Sequence, residues 1–337
     1  MIECVFTLDY EIYGDGQGDL RRHVYEPAEK LREVFLKHGA RFVNFVEAAE
    51  FERLEETRSD TAIDLVTAQI RSLHETGFET GLHLHPQWYN ATYRDGRWVL
   101  DDREYNLCTL PRARIEEIVD RALRYLRRVV GDPGFTPLSF RAGNWLFQPT
   151  QPAASVLAER GLRLDSSVFK GGVLSGRGID YRPAARSGPY WPFQADVSRA
   201  DPNGALVEVP IHVRMVRPWK MPTPKRLALA TAGPRSRRSW RARLARLRDL
   251  ARPWLPQKLD FCRMTFDELV SAIDGVVRED REDPTFFRPL VAIGHTKDLA
   301  DALAVDRFLE YLAFRSIPVS TFSAVVPRLA PLPTTLS

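Results

Sequence analysis

The sequence predicts an α/β protein whose strands form a parallel sheet, either open or closed into a barrel. Short apolar, β-prone segments alternate along most of the chain with segments whose apolar residues recur at helical spacing. Helical segments carry start and stop signals, such as an early Pro or a closing Gly. The hydrophobic and charged fractions, 44% and 27%, are those of an ordinary globular protein. We therefore expect residues 1–337 to form one domain.

The elements of the first half follow this alternation in order. Strands are predicted over IECVFTLD, RFVNFV and ETGLHLH. The helix EPAEKLREVFLKHG follows the first strand, with Pro27 near its start and Gly39 at its end. The helix TAIDLVTAQIRSLHETG follows the second strand and ends at Gly77. These units have the order expected of strands that lie parallel in one sheet.

The second half continues the alternation with two interruptions. Helices are predicted over RARIEEIVDRALRYLRRVVG, QPAASVLAERG and LADALAVDRFLEYLAFRS, and strands over TPLSFRA, LRLDSSVF, FRPLVAIGHT and PVSTF. Residues 171–205, rich in Gly, Pro, Arg and Ser, predict loops with a hairpin. Residues 216–258 form a basic insertion flanked by prolines.

The basic insertion dominates the charge of the chain. The stretch 214–258 holds 14 Lys or Arg and one acid, Asp249, so it carries +13 and the remainder carries −9. Three interpretations stay open: a solvated helical face, an amphipathic helix on anionic lipid over residues 235–252, or a patch for an acidic glycan or lipid-linked phosphate. Nucleic acid is not expected as a partner, because no binding motif accompanies the charge.

Polar residues that could take part in catalysis or metal binding occur at the predicted carboxyl ends of the strands. Barrels and open α/β sheets place their functional sites at this edge. The residues are Asp9, Glu11, His83, His85, Arg141, Asp165 and His295. Taken singly, each has an ordinary structural explanation: a carboxylate at a strand end is commonly a cap or an ion-pair partner, and a His-x-His pair is commonly two satisfied polar groups.

Taken together, these residues have the composition of a catalytic metal site. Alternation along a strand puts Asp9 and Glu11 on one face, and likewise His83 and His85. Two histidines and one carboxylate form a metal-binding set that leaves a position open for water and substrate. The second carboxylate could accept a proton from that water, and a later histidine could protonate a leaving group.

The order of these motifs resembles that of the polysaccharide deacetylases, the NodB-homology group of carbohydrate esterases. The resemblance is carried by TLDYE, KHGARFVNFV, GFETGLHLHP, FRAGNW, LDSSVF and AIGHTKD, spans roughly residues 1–325, and is strongest toward the subgroup linked to lipopolysaccharide and surface-polysaccharide synthesis. The first motif departs from the family in that Tyr10 separates the two acids, and the histidines are two residues apart instead of four. The resemblance implies a distorted (β/α)7 barrel.

The resemblance also implies a reaction and a role for each residue. It implies a metal-dependent hydrolase that removes an N-acetyl group from an amino sugar. Asp9 would be the general base and His295 the general acid, with Arg141 keeping Asp9 ionised and Asp165 tuning His295. Glu11, His83 and His85 would hold a divalent metal, with zinc as the expected ion. Trp88, Asn144 and Trp145 are the predicted substrate contacts.

Two alternatives to this function stay open. The same metal site could cleave a C–N bond in a non-sugar amide, or the chain could bind a glycan without catalysis. A zinc or disulfide framework of cysteines is not expected, because Cys4, Cys108 and Cys262 are widely spaced and no CxxC occurs. We expect a cytoplasmic protein, since no secretory leader is recognised and no apolar run approaches about 20 residues. A position at the inner membrane surface would follow if the basic stretch binds lipid.

Overall fold

A computed structural model describes residues 1–14, 16–223, 225 and 247–329 of the chain. Its helices are α1 (Glu26–Lys37), α2 (Ala48–Thr57), α3 (Ile63–Glu75), α4 (Arg112–Val130), α5 (Ala153–Glu159), α6 (Phe266–Glu282), α7 (Ala302–Phe314) and α8 (Phe322–Val325). Its strands are β1 (Ile2–Tyr10), β2 (Val43–Glu47), β3 (Glu79–Leu84), β4 (Thr92–Arg94), β5 (Arg97–Val99), β6 (Ser139–Ala142), β7 (Leu164–Asp165), β8 (Val173–Leu174), β9 (Ile179–Asp180), β10 (Trp191–Phe193), β11 (Leu206–Glu208), β12 (Val213–Val216), β13 (Leu255–Lys258), β14 (Arg288–His295) and β15 (Val319–Ser320).

The main sheet is a curled ring of seven parallel strands. Its order is β14-β1-β2-β3-β6-β7-β11, with β10 antiparallel at one edge and β15 beside the start of β1. Beyond β11, Ile211 forms parallel bridges to both Phe169 and Val291, and Val291 belongs to β14. These single bridges close the ring without a long ladder. The sheet is therefore a distorted barrel, which confirms the fold predicted from the sequence.

The composition of the strands explains their central position. Every residue of β1 and of β2 is buried, as expected for parallel strands covered on both faces. Each strand has an acidic residue near its carboxyl end, where Asp9 in β1 pairs in register with His295 in β14. Glu47 ends β2 and is paired in register with His83 of β3. The sheet thus brings the polar ends of four strands to one rim.

The helices cover the outside of the barrel through one apolar face each. In α4, residues Ile115, Ile118, Val119, Ala122 and Leu126 are buried at the spacing of a helical stripe. This helix contacts α2, α3 and α5, and α7 contacts both α1 and α6. None of the described helices combines the length and the apolar composition that a membrane crossing requires.

Two antiparallel hairpins interrupt the alternation in the second half of the chain. β8 and β9 form the first, inside the segment predicted to be looped. β12 and β13 form the second, with Val213 opposite Lys258 and Val216 opposite Leu255. This second hairpin is the base of the predicted basic insertion 216–258. Residues 224 and 226–246, which include most of the predicted lipid-binding segment 235–252, lie outside the described residues.

Candidate metal centre and proton-transfer residues

Arg141 and Asp9 form a buried ion pair in the centre of the rim. The side chain of Arg141 is completely buried, and its Nη1 donates to Asp9 Oδ1 at 2.6 Å. The remaining donors of this guanidinium bind Thr7 and Ser166. Burial alone would raise the pKa of Asp9, but Arg141 and the neighbouring histidines hold it below its usual value. Asp9 is thus an ionised carboxylate inside the protein.

Glu11 lies next to the two histidines as their spacing predicts. Its Oε2 is 3.4 Å from His83 Nε2 and 3.0 Å from His85 Nε2, and all three side chains are buried. The intervening Tyr10 points away and hydrogen-bonds Gln69 through its hydroxyl. Alternation along β1 therefore places Asp9 and Glu11 on the site side although one residue separates them.

A hydrogen bond to the backbone orients the ring of His83 as a metal ligand requires. Its Nδ1 donates to the carbonyl oxygen of Arg141 at 2.8 Å, so Nε2 of the neutral ring carries a lone pair. Both this Nε2 and Glu11 Oε2 are buried without a hydrogen-bond partner. Burial lowers the pKa of His83, but Asp9 and Glu11 outweigh that effect and raise it to about 9. The site therefore favours positive charge between these atoms.

Two residues that the sequence analysis did not name complete this cluster. Glu47, at the end of β2, contributes a carboxylate oxygen to a group with Glu11, His83 and His85 whose donor atoms lie within 4.8 Å of one another. Lys297 Nζ binds Glu11 Oε1 at 2.6 Å. Lys297 and His85 hold the pKa of Glu11 well below its usual range despite burial, while burial raises that of Glu47 to about 7.

The donor set fits a divalent metal ion. Tetrahedral ligands about 2.1 Å from one ion are about 3.4 Å apart, close to the two distances between Glu11 and the histidines. The unpartnered Nε2 of His83 and Oε2 of Glu11 would each gain a partner. Imidazole and carboxylate ligands suit zinc and also cobalt, nickel or iron. Glu11, His83 and His85 are the residues that would hold the ion, with Glu47 beside them.

His295 faces Asp9 across the rim, and Asp298 lies beside the other nitrogen of its ring. Its Nε2 is 3.4 Å from Asp9 Oδ2, and its Nδ1 is 3.6 Å from Asp298 Oδ2. Asp9 and Asp298 are the carboxylates within 4 Å of this ring among the described residues. Burial lowers the pKa of His295. Asp298 is therefore the acid beside Nδ1 of His295, and the tuning role expected of Asp165 stays a prediction.

Asp165 instead forms a buried acid pair with Glu208 below the site. The two residues are register partners in β7 and β11, and both are completely buried. Asp165 accepts hydrogen bonds from the backbone and hydroxyl of Ser167, whose hydroxyl also accepts from the backbone N–H of Ala142. Burial raises the pKa of both acids, most strongly for Glu208. The pair supports the strand that carries Arg141.

The raised pKa of Glu208 predicts how the free energy of unfolding depends on pH. The native state keeps a proton that the unfolded chain releases above a pH of about 4.3, so the wild type loses stability as pH rises. Glu208→Gln replaces the carboxyl group with an amide that does not titrate, so the variant should become more stable relative to the wild type as pH rises. Urea unfolding at several pH values measures this difference. The exposed Glu310→Gln is the control, and a difference independent of pH would refute a protonated Glu208.

The predicted substrate contacts have three different environments. Trp88 is completely buried and packs against Trp98, so its ring supports the site through packing and not through the predicted sugar contact. Asn144 places its side-chain nitrogen 3.2 Å from His85 Nδ1. Trp145 is partly exposed and meets the His295 ring edge to face, with centroids 5.9 Å apart.

A tight turn after β6 sets these positions. A Cβ atom on Gly143 would lie 2.6 Å from the carbonyl oxygen of Leu84 and 2.7 Å from the His85 ring, so only glycine fits. The next two residues, Asn144 and Trp145, have φ values of 53° and 58°. This strained turn brings the Asn144 amide against Nδ1 of His85. Metal binding through Nε2 of His85 requires Nδ1 to donate a hydrogen bond, so the amide would then have to present its oxygen instead of its nitrogen.

Comparison with solved structures identifies the architecture. No protein-family model matches the chain, and no curated protein sequence matches it. A structure from Mycobacterium smegmatis assigned as a polysaccharide deacetylase has a TM-score of 0.54 and 16% identity, covering 100% of this chain and 94% of that one. One from Pseudomonas aeruginosa PAO1, with the same assignment, has a TM-score of 0.51 and 12% identity, with coverages of 97% and 90%. The fold is that of the polysaccharide deacetylases.

Another protein with the polysaccharide-deacetylase fold is the Puue allantoinase. It has a TM-score of 0.51 and 13% identity, and the alignment covers 97% of this chain and 89% of that one. The fold is therefore shared by proteins with different substrates. The reaction of this chain therefore depends on its own residues and not on the fold.

Proposed function

We propose that the chain is a metal-dependent hydrolase that removes the N-acetyl group from an amino sugar of a bacterial surface polysaccharide or its precursor. The observation that carries the proposal is the buried group of Glu11, His83 and His85 next to the Asp9–Arg141 pair. This arrangement combines a site for a cation, an ionised base and an imidazole that faces the base. The lipopolysaccharide-linked subgroup is the proposed place within the superfamily.

The metal ion would be held by Glu11, His83 and His85, with zinc as the proposed ion. When bound, such an ion polarises a carbonyl group and makes water more acidic. Lys297 neutralises Oε1 of Glu11 and leaves Oε2 directed to the histidines. The chain's own contribution is to hold these side chains in place and away from bulk water.

The proton transfers are assigned to Asp9 and His295. Asp9 accepts a proton from the attacking water, whose oxygen bonds to the acetyl carbon. His295 then donates a proton to the sugar nitrogen as the C–N bond breaks, which yields acetate and a free amine. Arg141 keeps Asp9 ionised, and the Asp298 carboxylate lies 3.6 Å from Nδ1 of His295, where it stabilises positive charge on the ring. Burial lowers the pKa of His295, so the neutral ring must first gain a proton before it can donate one.

A second candidate is hydrolysis of a C–N bond in a non-sugar amide. The likeness of the fold to that of the Puue allantoinase supports this second candidate. The same polar residues could act on either substrate. The two candidates share the residues that activate water and differ in the substrate that the water attacks. A glycan-binding protein without catalysis is the third alternative, and it predicts sugar binding without acetate release.

Acetate release distinguishes these candidates. Purified protein loaded with Zn²⁺ or Co²⁺ is incubated with N-acetylated mono- and oligosaccharides and, separately, with non-sugar amides, and acetate and free amine are measured. We expect equal amounts of acetate and amine from at least one sugar. Turnover of a non-sugar amide alone would support the second candidate, and binding without any turnover would support the third.

We also propose a cytoplasmic location with peripheral contact to anionic lipid near the β12–β13 hairpin. Trp219 and Trp254 are 71% and 46% exposed, and the guanidinium of Arg217 lies over both rings. Exposed indoles beside cations suit an anionic membrane surface. Sedimentation with phosphatidylglycerol vesicles should pull down the wild type and much less of the Trp219→Ser/Trp254→Ser variant. Equal sedimentation of the two would refute this contact.

A further inference from the structure

Lys258 places a cation at the mouth of the candidate site. It is the last residue of β13, and its side chain is partly exposed. Its Nζ lies 2.8 Å from the centroid of the Trp145 ring and 4.1 Å from that of Phe169. Trp145 in turn contacts the ring of His295. One indole therefore separates this ammonium group from the proposed general acid.

The ammonium group of Lys258 has aromatic neighbours but no polar partner. Across residues 1–14, 16–223, 225 and 247–329, its Nζ forms neither a hydrogen bond nor an ion pair. The two acids whose charges act on Lys258 form ion pairs with other residues. Asp9 pairs with Arg141, and Asp260 pairs with Arg263. Lys297 on the same rim, in contrast, binds Glu11 directly. The N–H donors of Lys258 that do not face these rings can thus bind another molecule.

Aromatic contacts alone do not replace the lost hydration of this group. Cation–π contacts stabilise an ammonium group less than water does, and a partly buried ammonium group also needs hydrogen bonds to its charge. Burial accordingly lowers the pKa of Lys258 well below its usual range, although Asp260 opposes the effect. A bound anion would supply both the counter-charge and the acceptors.

We propose that Lys258 is a specificity-determining residue that binds a phosphate or carboxylate group carried by the substrate beside its acetamido group. This inference rests on the proposed deacetylase function, and it narrows the substrate class to anionic amino sugars. Lys258 belongs to the basic 214–258 stretch, whose described ends pair in the β12–β13 hairpin.

Lys258→Met tests the proposal, because methionine keeps the aromatic packing and removes the charge. The probes are N-acetylglucosamine 1-phosphate, N-acetylmuramic acid and neutral N-acetylglucosamine. We expect kcat/KM for at least one anionic sugar to fall by about 10-fold or more and that for the neutral sugar to stay within about twofold. The phosphate and carboxylate probes show which anion is preferred. Lys220→Met, an exposed lysine of the same stretch, should change neither value.

An equal fall for charged and neutral sugars, or no fall, would overturn the proposal. Binding measurements keep it testable if no sugar is turned over. In the Asp9→Asn background, calorimetry with the same three sugars should show weaker binding of an anionic sugar only when Lys258 is also replaced. Unchanged binding, or no binding of an anionic sugar by the Asp9→Asn protein, refutes the Lys258 site whatever the chemistry. Lys258→Gln serves as a second variant if thermal melting shows that the methionine variant is unfolded.

Discussion

Arg141→Met is expected to lower the free energy of unfolding by about 3–5 kcal/mol and to abolish hydrolysis. The guanidinium is completely buried and binds Asp9, Thr7 and Ser166. Methionine fills much of the same space but leaves the Asp9 carboxylate buried without its counter-ion. Urea unfolding followed by circular dichroism measures the loss, with acetate release measured in parallel.

A double variant separates the charge from the packing. In Arg141→Met/Asp9→Asn no buried charge is left unpaired, so we expect much of the lost stability to return. Arg141→Lys keeps a positive charge without the guanidinium fork and should fall between the wild type and the methionine variant. A loss below about 1 kcal/mol in Arg141→Met, or no recovery in the double variant, would contradict a buried ion pair.

Asp9→Asn is expected to slow acetate release by about 10²–10⁴-fold. The amide has nearly the shape of the carboxylate and its oxygen can still accept from Arg141, but it cannot take a proton from water. Its pH profile should also lose the acidic limb that reports the low pKa of Asp9. The matched control is Asp196→Asn, which alters an aspartate bonded to Ser198 and Gln148 away from the rim.

The stability of Asp9→Asn has to be measured with its activity. A folded Asp9→Asn protein that keeps more than about a tenth of the wild-type rate would exclude Asp9 as the general base. A control variant that loses activity to the same extent would point to general destabilisation.

The long parallel strands were predictable because their sequence pattern is strong. β1 is nine residues long and buried throughout. The acidic residues Asp9 and Glu11, at its end and just after it, are easily recognised in this largely apolar segment. Parallel order then implied that Asp9, His83, Arg141 and His295 meet at one rim. Alternation also predicted the common direction of Asp9 and Glu11. These inferences needed only strand order and a period of two.

The features that the sequence did not reveal depend on short elements and on curvature. β11 has only three residues, too few for a periodic pattern, yet it supplies the seventh strand. Glu47 is the last residue of β2 at the carboxyl edge of the sheet, but in sequence it looks like the N-cap of α2, which it also is. That strand-end position is the signal that could have identified it.

Pairings across the rim were harder still to predict. Asp165 and Asp298 both follow strand ends, and the curvature of the sheet decides which of them reaches His295. Trp88 could not be recognised as buried because its cover, Trp98, lies in a short hairpin. Lys258 was one of 14 cations in a basic stretch, and only its place over Trp145 distinguishes it.

Elemental analysis tests most directly whether Glu11, His83 and His85 bind a metal ion. The wild type, the double variant His83→Ala/His85→Ala and the control His74→Ala are incubated with Zn²⁺ and passed through gel filtration. We expect one ion per chain in the wild type and in the control, and none in a double variant whose circular dichroism is unchanged. An ion retained by the double variant, or a folded wild type that binds no divalent ion, would contradict the metal site.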